Sequence, residues 1–311
     1  MRDPDDALIS RLRFRHLELI RSLSATGSLH KTAKALSLSQ PAISKALVEV
    51  ESSFGFKLFE RSSAGVAVTP RGQAILEGAT LLLNGLRHVR LSAARADRRI
   101  VIRLGVSPFI SVTLVPHLLW TLRKQGDEAS VSLREGRGPQ NFDLFRNGEL
   151  DALLMASPPD LVQSWPAVAM TMKPLFEEGL SVVVAVDHPL ARRRRLSWHD
   201  LLGERWILPH EPSYIGDAIR GAFISQGLVP PIPWIESMHP LTNIELVAAG
   251  HGIGAVPSSL VRVARERGLI SELRIEPKGR LSPVSYLFRS AEADSPPIRT
   301  LTRALEARGL L

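Results

Sequence analysis

Two short amphipathic helices joined by a three-residue turn constrain this chain more than any other feature. Ser28 can cap the first helix, whose inward face would be Leu29, Ala33 and Leu36. Ser37-Leu38-Ser39 forms the turn, and Ser39 caps the second helix with Pro41 tolerated in its first turn. There Ile43, Leu47, Val50 and Phe54 face inward until Gly55 ends the run. A preceding helix carries Phe14, Leu17, Ile20 and Leu23 at helical spacing and stops at Gly27. This is the pattern of a helix-turn-helix. The outward face of its second helix holds Gln40, Ser44, Lys45 and Val48. An amide and a hydroxyl can donate and accept at base edges, and a lysine neutralises phosphate.

Downstream, Lys57–Arg61 and Val66–Val68 are short β-prone runs around a small-residue turn, which predicts a hairpin. Such a hairpin after a helix-turn-helix is a wing, and Arg61 is placed to reach a sugar-phosphate backbone. Thr69-Pro70 then opens a long helix. Ile75, Ala79, Leu82, Leu86, Val89 and Ala93 alternate by four and three along it, a heptad seam of the kind that pairs with a second copy. Run to about residue 96, it would be about 40 Å long.

Charge separates the chain into two parts. Residues 1–99 hold 16 Lys and Arg against 9 Asp and Glu, leaving 23 against 22 for the rest. A basic third beside a neutral remainder fits a nucleic-acid-binding domain attached to a second function. There is no cysteine, which excludes disulfides, thiolate metal sites and thiol redox sensing. No apolar run approaches the roughly 20 residues that cross a bilayer. Met1 to Asp6 lacks the layout of a signal peptide, so no membrane association and a cytoplasmic protein are expected.

The segment from Phe14 to Glu77 resembles the winged helix-turn-helix of LysR-type transcription regulators. The residues that carry the likeness are Gly27-Ser28-Leu29, Ser39-Gln40-Pro41-Ala42-Ile43-Ser44, Glu51, Phe54-Gly55, Leu58-Phe59-Glu60-Arg61 and Thr69-Pro70-Arg71-Gly72. The resemblance implies that Gln40 and Ser44 lie in the groove and that Lys45 contacts phosphate. Ser28, Lys31, Ser39, Pro41 and Arg61 complete the expected DNA contacts. It makes the long helix the dimerising linker, through Ile75, Leu82, Leu86 and Val89. Double-stranded DNA, a small-molecule effector, a second copy (as dimer or tetramer) and RNA polymerase are the implied partners.

From Ile100 the sequence alternates strands with helices, which predicts parallel sheets covered on both faces. Strands are expected at 100–106, 129–133, 152–155, 180–186, 205–208, 232–236 and 253–256, with a helix over 111–124 among those between them. Gly148–Ala152, Asp187-His188-Pro189-Leu190 and Val247–Gly254 are similar to the family's effector domain, so the likeness spans nearly the whole chain. It implies two α/β subdomains like those of periplasmic binding proteins, with crossovers near Met172–Leu175 and Glu276–Leu281. The expected organisation is therefore 1–69 winged domain, 70–97 linker, 98–173 with 277–311 the first subdomain, and 174–276 the second.

Ligands in such folds sit at the carboxyl ends of parallel strands, against helix N-termini. That rule selects Ser107, Arg137 and Ser157 in the first subdomain, and His210, Ser213, Tyr214 and Thr242 in the second. A guanidinium at Arg137 matches a carboxylate or phosphate at two points. Gly250–Gly254 precedes a strand and is a turn rather than a phosphate loop. Arg192–Arg195 is expected to be a solvated loop. No protease, nucleophile-elbow or P-loop motif is present, and the nine histidines have no ligand spacing, so neither an enzyme nor a metal or cofactor is expected. The rival readings are a small-molecule binding protein or enzyme with a DNA-binding appendage, and a structural nucleoid protein. The second would not need about 200 residues of neutral α/β domain.

Overall fold

A computed structural model describes residues 12–62, 65–93, 100–156, 170–210 and 213–311. The chain divides into two compact units, one of residues 1–98 with 143–150 and the other of 99–142 with 151–311.

The first unit begins with α1 (Phe14–Thr26), α2 (Leu29–Ala35) and α3 (Gln40–Phe54). The Ser28 hydroxyl accepts the Lys31 N–H at 3.4 Å and the Ser39 hydroxyl accepts that of Ala42 at 3.3 Å, so both serines cap where the sequence places them. The hairpin is β1 (Phe59–Ser62) and β2 (Gly65–Val68), antiparallel, with Phe59 opposite Val68. α4 (Pro70–Ala93) follows, capped by Thr69, whose hydroxyl accepts the Gly72 N–H at 2.9 Å. Gly72 is required there, because a β-carbon would lie 2.1 Å from the Leu58 carbonyl oxygen. Ile20, Leu23, Ile43, Leu47, Val50 and Leu58 form the core. Glu51 ties that core to the wing. Buried on α3, it accepts the backbone N–H groups of Leu58 (2.9 Å) and Phe59 (3.3 Å) and pairs with Lys57 at 2.7 Å. Residues 143–150 join this unit through Arg146, paired with Glu77 of α4 at 3.2 Å, and through Asn147, whose carbonyl accepts the Asn84 amide.

The second unit contains two sheets. Its elements in order are β3 (Ile100–Val106), α5 (Pro108–Thr113), α6 (Val115–Lys124), β4 (Ala129–Glu135), α7 (Gly138–Arg146, whose residues 143–146 belong to the first unit), β5 (Ala152–Ala156), β6 (Met170–Phe176) and β7 (Gly179–Ala185). They continue with β8 (Trp206–Leu208), α8 (Tyr214–Ser225), β9 (Pro233–Glu236), α9 (Pro240–Ala248), β10 (Ile253–Pro257) and α10 (Ser258–Glu266). Last come β11 (Ile270–Glu272), β12 (Gly279–Arg280), β13 (Val284–Arg289) and α11 (Pro296–Glu306). One sheet has the order β4-β3-β5-β13-β6. The other has β11-β7-β10-β8-β9, with β12 also on β7. The single helix expected over 111–124 is broken at Leu114, two residues before Pro116, which has no N–H to continue a helical ladder.

Three expectations need correction. The sheets are mixed rather than parallel: β13 runs antiparallel to β5 and β6, and β7 antiparallel to β10 and β11. Both crossovers fall later than expected. Residues 170–176 pair with β13 in the first sheet, so the chain crosses only between Phe176 and Gly179. It returns after Arg280, because Gly279 and Arg280 still pair with β7. Ile102, Leu104, Val183, Ile207 and Val284 belong to one core cluster that draws on both sheets. A second cluster stacks Trp198 and Trp206 edge-on to Phe223, at 5.4 and 5.8 Å between ring centroids.

Candidate functional site

Two regions gather the expected functional side chains. In the first unit, Gln40 opens α3 and Ser44 and Val48 follow at four-residue intervals, so all three share one face. Gln40 and Lys45 are exposed, Ser44 is half-buried, and Val48 is 55% exposed despite its apolar side chain. Pro41 stands exposed in the first turn, Lys31 is exposed on α2, and Arg61 is exposed on β1. Ser28 and Ser39 already use an oxygen lone pair as a cap, which leaves each a hydroxyl proton to donate. The face thus offers an amide, hydroxyls, cations and one apolar side chain of a size to meet a thymine methyl.

Along α4 the expected seam divides. Ile75 packs into the winged core, and Ala79 and Leu83 are buried with Leu17 of α1. Leu82, Leu86 and Val89 stand 57%, 46% and 66% exposed, one heptad-spaced apolar face open on the outside of the helix.

In the second unit, a cavity of about 490 Å³ opens between residues of both sheets. Ser107, Arg137, Ser213 and Tyr214 line it, as expected. Ser157 lies outside the described residues. His210 and Thr242 are both exposed and do not line it; their neighbours Pro209 and Asn243 do. One residue of offset decides this on α9, where Asn243 is buried and bonds the Ser237 carbonyl at 3.0 Å while Thr242 faces out. The sequence reading also missed His239 and Pro240, at the start of α9, although a helix opening just after β9 was the signal for them.

The helices α7, α8 and α9 all begin at the cavity wall, at Gly138, Tyr214 and Pro240. Their positive dipole ends and the first-turn N–H groups of residues other than Pro139 and Pro240 favour a negative group. Ser213 caps α8 by accepting the Gly216 N–H at 3.5 Å and keeps its hydroxyl proton. Burial first, and the Glu178 carboxylate second, raise the Tyr214 phenol, so it stays a neutral hydroxyl at any physiological pH. Glu135 and Asp217 bring negative charge to the rim, Asp217 paired with Arg220 at 3.0 Å. Pro108, Pro139, Met155, Pro209 and Met238 give the remaining wall an apolar character. Among the described residues no group of His, Asp and Glu could hold a metal, and no helix is long and apolar enough to cross a membrane.

Comparison with known proteins gives two family matches. Residues 14–73 match the family described as bacterial regulatory helix-turn-helix protein, lysR family, and residues 95–309 match the LysR substrate binding domain. The HTH-type transcriptional regulator GbpR of Azospirillum brasilense is 28% identical over 303 residues, covering 96% of this chain and 87% of that one. A full-length OxyR variant from Pseudomonas aeruginosa has a similar fold, with a TM-score of 0.61 at 24% identity over 95% of this chain and 97% of its own. So does full-length CbnR complexed with its target DNA, with a TM-score of 0.53 at 24% identity over 96% of this chain and all of the other.

Proposed function

This chain belongs to the LysR family of DNA-binding transcription regulators, and from that premise we propose that a small carboxylate held in its cavity sets how it acts on DNA. The observation that carries the reading is the convergence of Arg137 with three helix N-termini on one cavity whose remaining wall is mainly apolar. A guanidinium and helix N-termini recognise an anion, and the prolines and methionines take an apolar body. A volume of about 490 Å³ suits an organic acid of metabolite size. Ser107, Ser213 and Tyr214 supply hydroxyls that fix its orientation. The bound acid favours one disposition of the two sheets, and that preference is the coupling to DNA.

A thermal-shift screen of the full chain against small carboxylates with aromatic or aliphatic bodies tests this, since a bound ligand raises the melting temperature with its saturation. Arg137→Ala is expected to raise the dissociation constant of the best acid at least tenfold, equivalent to about 1.4 kcal/mol. DNA affinity without the acid should stay unchanged. Equal binding by the Arg137→Ala protein would remove Arg137 from the site and the anion with it.

The active form is an oligomer joined through the open face of α4, with Leu82, Leu86 and Val89 as its seam. Leu82→Glu is expected to dissociate it, because a carboxylate would be buried against the partner helix. Since Leu82 is 57% exposed in the single chain, the monomer should keep its far-UV signal. Sedimentation measures the outcome, and an unchanged assembly would place the seam elsewhere.

A further inference from the structure

The run Arg192–Arg195 is exposed throughout, yet it is not a loose loop. A 3-10 turn over Pro189–Arg192 leads into it, and a second over Trp198–Leu201 follows it. Between them Leu196 bridges to Ile275: its N–H donates to the Arg274 carbonyl at 3.0 Å, and its carbonyl accepts the Glu276 N–H at 3.1 Å. The Trp198 indole donates to the Pro277 carbonyl at 3.0 Å. Leu190, Leu196 and Trp198, the larger apolar residues of the segment, are all buried. The segment is pinned at both ends, and what it presents outward is arginine.

The bridge brings a second basic segment alongside, Arg274 with Lys278 and Arg280, all exposed. Across 189–200 and 273–280 there are seven Lys and Arg against two carboxylates, Asp200 and Glu276. Asp200 pairs with Arg193 at 2.9 Å. Among the described residues Arg192, Arg194, Arg195 and Arg274 have no ion pair. Holding like charges side by side on a fixed backbone opposes folding slightly, so the arrangement is useful only toward an external anion. Protein interfaces centre on buried large apolar or aromatic side chains, and the apolar residues this patch exposes are two prolines, Pro189 and Pro277. Guanidinium groups without an apolar centre match phosphates, which they bind at two points each.

We infer that this basic ridge on the second sheet's subdomain is a phosphate-contacting surface for duplex DNA, separate from the groove-reading face of α3. It adds sequence-independent affinity to a chain whose family already binds DNA. The inference rests on that DNA binding but not on the identity of any effector.

The test uses full-length protein and a duplex of about 60 bp carrying a site that the wild-type chain selects from a random library. Affinity is measured from 50 to 300 mM KCl for wild type, the triple variant Arg192→Ala, Arg194→Ala, Arg195→Ala, and the matching triple lysine variant. Each phosphate contact contributes about 0.9 to the slope of log affinity against log salt, so the alanine triple should lose about 3 from that slope. The lysine triple should keep the slope, since its charge is retained. Exposed side chains leave the melting temperature of both variants near wild type, and a single Arg194→Glu change repeats the test with least disturbance. An alanine triple with the wild-type slope and affinity would overturn the inference, and would leave the ridge to an acidic protein surface.

Discussion

Gln40→Ala and Ser44→Ala are each expected to weaken binding to the selected site by about 1–3 kcal/mol, while binding to unrelated DNA hardly changes. Both side chains stand on one face of α3, four residues apart, at the helix end nearest the turn. An amide or hydroxyl at a base edge discriminates only when the right base is opposite, so its loss appears only at the specific site. The double variant should therefore lose most of the gap between specific and nonspecific affinity. Lys45→Ala provides the contrast: an exposed cation on the same helix should weaken both kinds of binding and lower the salt slope by about 1. Titrations of one labelled duplex with and without competitor DNA separate the two effects. Equal loss of specific and nonspecific affinity in the Ser44→Ala protein would exclude that serine from the groove.

Glu51→Ala has the largest expected effect on stability. Its carboxylate accepts the N–H groups of Leu58 and Phe59, both fully or nearly buried, and removing it leaves two interior donors without a partner. Each such donor costs about 1–3 kcal/mol, so the winged domain should lose about 2–6 kcal/mol. That is a large share of the 5–15 kcal/mol typical of a domain. Lys57, mostly exposed, adds little to this. Glu51→Gln keeps an acceptor and should lose much less. All five tryptophans lie beyond residue 100, so fluorescence does not report this domain, and amide exchange at Leu58 and Phe59 is the suitable measurement. Exchange at wild-type rates in the alanine variant would mean the wing is held by its own packing.

How much of this was legible in the sequence depended on whether the signal was local. Ser28, Ser39 and Thr69 act as caps where the sequence shows them, because capping involves residues only two or three apart. The hairpin matches within two residues for the same reason. The family resemblance placed a crossover at residues 172–175, which include Pro174. In the fold they form an edge strand, where a missing N–H is tolerated. The antiparallel directions of β7 and β13 are set by partners dozens of residues away and leave no mark in the alternation of strands and helices.

The same distinction governs the site. Looking just after strands reached Ser107, Arg137, Ser213 and Tyr214 of the cavity wall, but not the one-residue choices between Thr242 and Asn243 or between His210 and Pro209. Those depend on how a helix or turn is rotated against its neighbours. Glu51 was visible as part of the family likeness, but its role was not, since the donors it serves lie seven and eight residues on. Arg192–Arg195 read as a solvated loop because the bridge that anchors it, Leu196 to Ile275, spans most of the second subdomain.

Selection of duplexes from a random library by the full-length protein tests the central claim most directly. A regulator that reads bases through Gln40 and Ser44 and pairs through α4 should enrich one site with two related half-sites about one or more helical turns apart. The Gln40→Ala, Ser44→Ala double variant should enrich nothing from the same library under the same salt. A wild-type pool that stays random, or a double variant that enriches the wild-type site equally well, would contradict it.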